Sequence, residues 1–195
     1  MTHTLGVLLA AGAGRRMGGP KAFVIGDDGL PWVVSASRAL TDGGCAEVVV
    51  VLGASADEAG ELLAGEPVST VVADDWATGM AASVRTGLAA ATPTPAVAAL
   101  IHLVDLPDVG AGVVRRLVDH AEPGVLARAA YAGRAGHPVL MGREHWSGVV
   151  AGSAGDRGAR DYLDAHDVLL VDCGDLALGL DHDTPEGGGH AQHPR

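Results

Sequence analysis

Lysine is nearly missing from this chain. Among 195 residues there is one, Lys21, beside twelve arginines. Cations of both kinds total 13 against 24 acidic residues, a formal net charge of −11. That balance excludes a general nucleic-acid surface or an acidic-membrane surface, because both need clustered cations. A small anion would need a local site built against the overall field. Aromatic residues make up only 3%, with a single phenylalanine, while Ala, Val and Gly abound. Small side chains suit helices packed closely on a sheet, so this shortage bears on packing rather than on function. Cysteine occurs twice, at Cys45 and Cys173, with no CxxC or Cys/His spacing of a zinc site. Both are expected to be reduced, buried thiols. No apolar run is long enough to span a bilayer. The opening MTHTLGVLLAAGAG lacks a basic stretch ahead of its apolar run, which argues against an export signal. A cytoplasmic protein with no membrane partner is the expectation.

What is present is an alternation of two periodicities. Short β-branched or apolar runs at residues 5–10, 47–52, 68–73, 96–104 and 168–171 read as strands, and EVVVVL (47–52) reads as a central parallel one. Between them, residues 31–40, 56–64, 80–90, 112–121 and 156–165 predict helices, the first with proline in its opening turn and Gly43–Gly44 as its stop. Residues 125–130 and 138–141 flank a glycine-rich turn and predict a hairpin. Strands alternating with helices predict an α/β fold: a three-layer α/β/α sandwich on a mostly parallel, mixed, Rossmann-like sheet. Ligands of such sheets bind beyond the carboxyl ends of the strands. The chain reads as one domain over residues 1–186, followed by a glycine- and histidine-containing tail, 187–195, expected to be disordered.

The lone lysine closes GAGRRMGGPK (residues 12–21), a loop with four glycines that follows the first strand directly. The dinucleotide pattern GxGxxG fails, since Met17 stands where the third glycine belongs. No acidic residue closes the second strand, which disfavours an NAD-dependent oxidoreductase. The Walker pattern fails too, because Pro20 intervenes and Ala22 replaces its Ser or Thr. A glycine loop carrying Arg15, Arg16 and Lys21 remains, suited to phosphate: glycines let backbone N–H groups approach, and the cations offset the charge.

Here the residues carry a resemblance. LLAAGAGRRMGGPK (8–21) resembles LAAGxGxRMGxPK of the nucleotidyltransferases with a glycosyltransferase-A-like fold, and within them the branch that makes molybdopterin dinucleotide cofactors. GMAASVRTGL (79–88), HLVDLPDV (102–109), GRAGHPVLM (133–141), GDRGAR (155–160) and DHDTPEG (181–187) fit the cytidylyltransferase members in the same order. The sequence departs at Gly187, where the family has Asp, and at Asp74–Asp75, where relatives often carry Asn.

The resemblance implies roles residue by residue. Lys21, Arg16 and Asp105 would be the catalytic set. Leu9, Ala10, Ala11, Gly12, Gly14, Arg16, Lys21, Gly79 and Ser83 would bind the nucleotide. Asp105 and Asp183 would hold Mg²⁺, with Asp181 as the substitute for the second; from the residues alone Asp105 reads equally well as a turn or helix-cap residue. His137 and Arg160 would receive the acceptor, although His137 also reads as a turn residue before Pro138. Arg15 would be a solvent-facing helper. The implied reaction is Mg²⁺-dependent transfer from an NTP to a phosphorylated small-molecule acceptor, molybdopterin or molybdenum cofactor, with pyrophosphate released and a molybdoenzyme as a further partner. Ala11 and Pro20 favour CTP, since guanylyl relatives usually read LAGG with Asp before the lysine. A guanylyltransferase of the same pathway, an enzyme acting on a sugar or alditol phosphate, and a non-catalytic nucleotide-binding partner of a molybdoenzyme are the alternatives.

Overall fold

Six-residue β1 (Thr4–Leu9) is buried along its whole length, because parallel strands flank it on both sides and helices cover both of its faces. On one side it pairs with β2 (Glu47–Leu52), which pairs in turn with β3 (Ser69–Val72). On the other side it pairs with β4 (Ala98–Leu103), in a register that sets Leu9 beside Leu103. Three further strands, β5 (Leu126–Tyr131), β6 (Arg134–Gly142) and β7 (Leu169–Asp172), complete a seven-stranded sheet of order β3-β2-β1-β4-β6-β5-β7. Only β6 runs against the rest, antiparallel to both β4 and β5. This is the expected mostly parallel mixed sheet, and β5–β6 is the expected hairpin. The computed structural model describes residues 3–15 and 17–182.

Helices cover both faces. On one lie α1 (Trp32–Asp42), α2 (Ala56–Leu62) and α4 (Ala111–Val118), whose Val33, Leu40, Ala59, Val113 and Leu117 pack on Leu8, Val50, Leu100 and Leu140. On the other lie α3 (Met80–Ala91), α5 (Trp146–Gly152) and α6 (Arg160–Asp164), whose Val84, Leu88, Trp146, Val149 and Leu163 pack on Val7, Val51, Ile101 and Met141. Each fully buried Leu or Val side chain contributes roughly 1.5–3 kcal/mol. The sheet lets α3 approach closely only because residue 87 is glycine: a Cβ there would lie 2.4 Å from Val7 Cγ1. Edge strands β3 and β7 are four residues each and largely exposed, β3 shorter than the expected 68–73 and β7 shifted by one residue from the expected 168–171, as suits strands whose outer edge must not recruit another chain. The helix expected over 156–165 is split, because Gly155 and Gly158 both take positive φ and leave a short 3-10 turn before α6. Helix α5 was not expected at all.

Both cysteines are free and buried, and burial pushes the Cys45 thiol up to about 12, which keeps it protonated and inert. His102, on β4, is fully buried on the face shared by Leu100, and among the described residues neither ring nitrogen has a hydrogen-bond partner. Burial, with a smaller contribution from His137, lowers its pKa to about 3. The unfolded chain therefore takes up a proton near pH 6.5 that the folded chain refuses, so stability is full above that pH and is lost as pH falls toward 3. Between pH 7 and pH 5 this one group is expected to remove about 2 kcal/mol. Urea melts at the two pH values check it: His102→Leu should flatten the difference by about that amount.

Candidate active site

The chain leaves β1 toward β2 on one side, while β4 joins β1 from the other, so a crevice opens between the carboxyl ends of β1 and β4. This is the position at which open α/β sheets bind ligands. The glycine loop departs from β1 there and Asp105 follows β4. The Val104 N–H donates to Leu9 O at 3.2 Å, which holds the two exits together.

The loop folds around one carbonyl. Met17 and Gly19 N–H both donate to Gly14 O, at 2.8 and 3.3 Å. Gly14 has φ +56°, and a Cβ there would lie 1.8 Å from Gly19 O, so only glycine closes this turn. Gly12, in contrast, is exposed, with no atom within 4 Å of where its Cβ would stand. A ligand can approach that backbone. Lys21 opens a 3-10 turn (Lys21–Phe23), and its Nζ donates to Asp105 Oδ2 at 2.7 Å. The two side chains are 15% and 19% exposed, a largely desolvated pair. Asp105 Oδ1 is buried and, among the described residues, accepts no hydrogen bond. Asp105 caps no helix, since the residue capping α4 is Gly110.

Two cavities meet here. The smaller, about 370 Å³, is bounded by Leu9, Ala11, Gly12, Gly14, Arg15 and Lys21 from the β1 side, by Trp76, Gly79 and Ser83 at the start of α3, and by Asp105. It brings together the described members of the expected nucleotide set except Ala10, which is buried in the core beside Leu8. Gly79 has φ +120°, and a Cβ there would lie 2.5 Å from the Gly155 backbone, so it keeps α3 against the 155–157 turn. Ser83 is 5% exposed and borders the cavity, not a solvated helix face.

The larger cavity, about 670 Å³, spreads over β4, β6 and β5 under α6. Leu9, Met80, Leu103 and Asp156 border both cavities, so the two adjoin. His137 and Arg160, the expected acceptor residues, line the larger one. His137 sits within strand β6, not in a turn, and its carbonyl accepts from the Tyr131 hydroxyl at 2.7 Å. Burial chiefly, then the Arg128 charge, lowers its pKa to about 4 despite the opposing pull of Asp105, so the imidazole is neutral at pH 7. The segment after β7 forms an outer wall through Ala177, Leu178, Gly179, Leu180 and Asp181. Leu178 and Gly179 N–H donate to Asp108 Oδ2 at 2.7 and 2.9 Å, and His182 N–H donates to Asp105 O at 3.2 Å.

The arginines divide by location. Arg38, Arg85, Arg115, Arg116, Arg143 and Arg157 each donate to a carboxylate or a carbonyl. Among the described residues, Arg15, Arg134 and Arg160 make no hydrogen bond or ion pair. Arg128 uses only Nε, donating to Gly136 O at 3.2 Å. All four border the two cavities. Among the described residues of a chain of net charge −11, the uncommitted guanidinium groups are thus those that border this crevice.

A divalent cation fits Asp105: one buried carboxylate oxygen is unclaimed, and the other is held by a cation that can turn to a phosphate. Among the described residues no group of three or more His, Cys, Asp or Glu forms a metal cage. A cation here would rest on one or two carboxylates plus phosphate oxygens and water, the habit of Mg²⁺. The expected roles of Arg16 and Asp183, and the tail 187–195, lie outside the described residues. Sequence reasoning missed Arg128, Asp156, Trp76 and Met80. Arg128 left a signal, a charge on the inward-alternating face of an apolar strand. No described helix is long and apolar enough to cross a membrane.

Residues 6–169 match the MobA-like NTP transferase domain. The chain is 40% identical over 191 residues to a protein of Paenarthrobacter nicotinovorans named nicotine blue oxidoreductase, covering 93% of this chain and 92% of that one. It is similar to Rv0371C of Mycobacterium tuberculosis H37Rv, solved in complex with manganese, at 27% identity and a TM-score of 0.76, covering 93% and 94% of the two chains. A nucleotidyl transferase from Methanothermobacter thermautotroptrophicus shares the fold, with 23% identity, a TM-score of 0.76 and 88% of each chain covered.

Proposed function

The chain belongs to the MobA-like NTP transferase family, which makes it a nucleotidyltransferase by family, and from that membership we propose that it moves a nucleotidyl group from CTP to a phosphorylated acceptor, molybdopterin or the molybdenum cofactor, in the cytoplasm, with a molybdoenzyme as the recipient of the product. The observation that supports this best is Asp105: one oxygen bound to the only lysine, the other buried and unclaimed, beside a glycine loop with an open approach.

In this reading the smaller cavity holds the nucleotide and the larger one the acceptor. An oxygen of the acceptor's phosphate attacks the α-phosphorus in line. The bond to the β-phosphate breaks and pyrophosphate leaves with its electron pair. The attacking phosphate is already ionised, so no strong base is needed, and catalysis reduces to positioning and charge stabilisation. Lys21 turns from Asp105 to the α-phosphate as negative charge builds there. Arg15 and Arg16 draw in the outer phosphates, where a planar fork can make paired contacts. Asp105, with Asp183 or Asp181, would hold Mg²⁺, which when bound neutralises the phosphate oxygens. His137, neutral at pH 7, offers a hydrogen bond rather than a charge.

A pyrophosphate-release screen of the four NTPs, with and without molybdopterin and common sugar or alditol phosphates, tests the reading. Release that depends on molybdopterin supports it. Release only with a sugar or alditol phosphate replaces the acceptor, and no release with any pair removes nucleotidyl transfer. CTP is expected to outcompete GTP by at least ~1 kcal/mol, the scale of one buried hydrogen bond. Ala11 and Trp76 both crowd the Gly53 backbone at the edge of the smaller cavity, and a purine would have to move that packing. Competition at equal concentrations checks it: Ala11→Gly should relax the preference, and a wild type that prefers GTP promotes the guanylyl alternative.

The name of the 40% relative favours a second reading, a redox enzyme that uses the smaller cavity for a nucleotide electron carrier and the larger one for a flat substrate. The missing GxGxxG speaks against it, and such chemistry gives Lys21–Asp105 no task. Oxidation of NADH or NADPH, followed at 340 nm with quinone-type acceptors, distinguishes the two.

A further inference from the structure

Transfer chemistry explains cations near Lys21. It does not explain Arg128. Its strand position pairs with Val139, which pairs with Ile101. That puts Arg128 two strands away from β4 and four residues short of Asp105's level. At about 4.8 Å per strand and 3.3 Å per residue the separation is roughly 16 Å, beyond contact with a phosphate held at Lys21. Yet the side chain is not a solvated one. Arg128 is partly buried, and the Nε–H···O bond to Gly136 fixes its stem against the hairpin. Its terminal nitrogens donate to nothing among the described residues. Arg160, exposed at the start of α6 and equally uncommitted, borders the same cavity, and burial first, then the Arg160 charge, disfavours the Arg128 cation against the opposing pull of Asp164. Two guanidinium groups held together cost stability unless an anion joins them.

Between this pair and the Lys21 end, the floor of the cavity is mostly apolar, with His137 as its polar side chain. Val84, Ile101, Leu103, Val139 and Met141 line it from the sheet and α3. Such a surface suits an unsaturated ring system better than a polyhydroxylated chain, most of whose hydroxyls would find no partners there.

We infer that the larger cavity ends in a second anion site, formed by Arg128 and Arg160, and that its ligand is an elongated, flat molecule with a reactive anionic group at one end and another anionic group, a carboxylate or enolate, at the other. This rests on the larger cavity's being the acceptor site. It narrows the acceptor class: the mostly apolar floor disfavours polyol phosphates, and a ligand with one charged end leaves the arginine pair uncompensated.

The test uses the full chain, without nucleotide, and two matched pairs of probes: phenyl phosphate against 4-carboxyphenyl phosphate, and biphenyl-4-yl phosphate against 4′-carboxybiphenyl-4-yl phosphate. Affinities are read by titration calorimetry. In at least one pair the carboxylated probe is expected to bind tenfold tighter or more. In R128Q and in R160Q that gain should shrink to about twofold, with the uncarboxylated probe little changed. Should R128Q fail to fold by circular dichroism, R128K serves in its place. It keeps the stem and the charge but loses the fork, and the gain should fall at least threefold. No gain in either pair, or a gain that survives in the variants, overturns the proposal. Because no nucleotide is present, pyrophosphate release and the carboxylate gain fail separately. A chain that shows the gain but releases no pyrophosphate loses the transfer reading and keeps the ligand class.

Discussion

Exchanging Lys21 for arginine, a charge-conserving change, is expected to cut turnover by one to three orders of magnitude, on the scale of losing one preorganised donor to the transition state. The reason is shape. An ammonium is a compact charge with rotatable donors, while a guanidinium is a broad plane. Lys21 is only 15% exposed and lies at 2.7 Å from Asp105, in a loop closed tightly around Gly14. A plane in that space can still pair with Asp105, so the fold should persist, but it cannot pivot to a phosphorus that is becoming five-coordinate. Steady-state pyrophosphate release from purified K21R, with a circular dichroism melt as control, decides the matter. Turnover within twofold of wild type would remove Lys21 from the mechanism.

Asp105→Asn should have a comparable or larger effect, by a different route. The carboxylate does two things: it holds Lys21 with one oxygen and offers the other to a cation. The amide keeps the shape and loses the charge, so turnover is expected to fall at least a hundredfold and the Mg²⁺ concentration giving half-maximal rate to rise at least tenfold. Lys21 would also lose its anionic partner in a largely desolvated place, at a cost of about 1–3 kcal/mol of stability. Urea melts separate that loss from the catalytic one. An Mg²⁺ dependence unchanged in D105N, with turnover intact, would reassign the cation to other carboxylates. Asp183→Asn and Asp181→Asn, compared side by side, identify the second ligand.

Lys21 and Asp105 are legible through the family motifs that carry them; the local sequence alone marks the first as the cation closing a glycine loop and the second as a carboxylate just past a strand and before Pro107. The same logic made the sheet legible. EVVVVL is apolar and β-branched because β2 is covered on both faces, and the expected bounds of 47–52 are the observed ones. Legibility failed where long-range packing overrode local preference. WSGVVAG, with two glycines in seven residues, has little helical propensity, yet it forms α5 because Trp146 and Val149 are buried against the sheet and Trp146 Nε1 donates to Met141 O. Arg128 was read as one residue of a hairpin strand. Its meaning depends on Arg160, thirty-two positions later, and that proximity is a property of the fold rather than of any local pattern. The wall formed by residues 177–181 was equally unreadable, since nothing in LALGLD announces that its backbone will be held by Asp108.

That wall has a consequence for how the molecule comes into being. A nascent chain emerges from its N-terminus, and domains can acquire structure as they emerge. β1, β2, β4 and the β5–β6 hairpin contribute most of the sheet before residue 143, and β7 then adds at the open edge of β5. Asp105 and Asp108 are made some seventy residues ahead of the backbone groups that fasten to them. A chain ending after β7 would therefore lack the backbone groups that fasten to Asp105 and Asp108, and its larger cavity would be open along one side. The interior of the larger cavity thus depends on a segment that lies outside every strand of the sheet, and it is closed only where residues 178–182 return to Asp105 and Asp108.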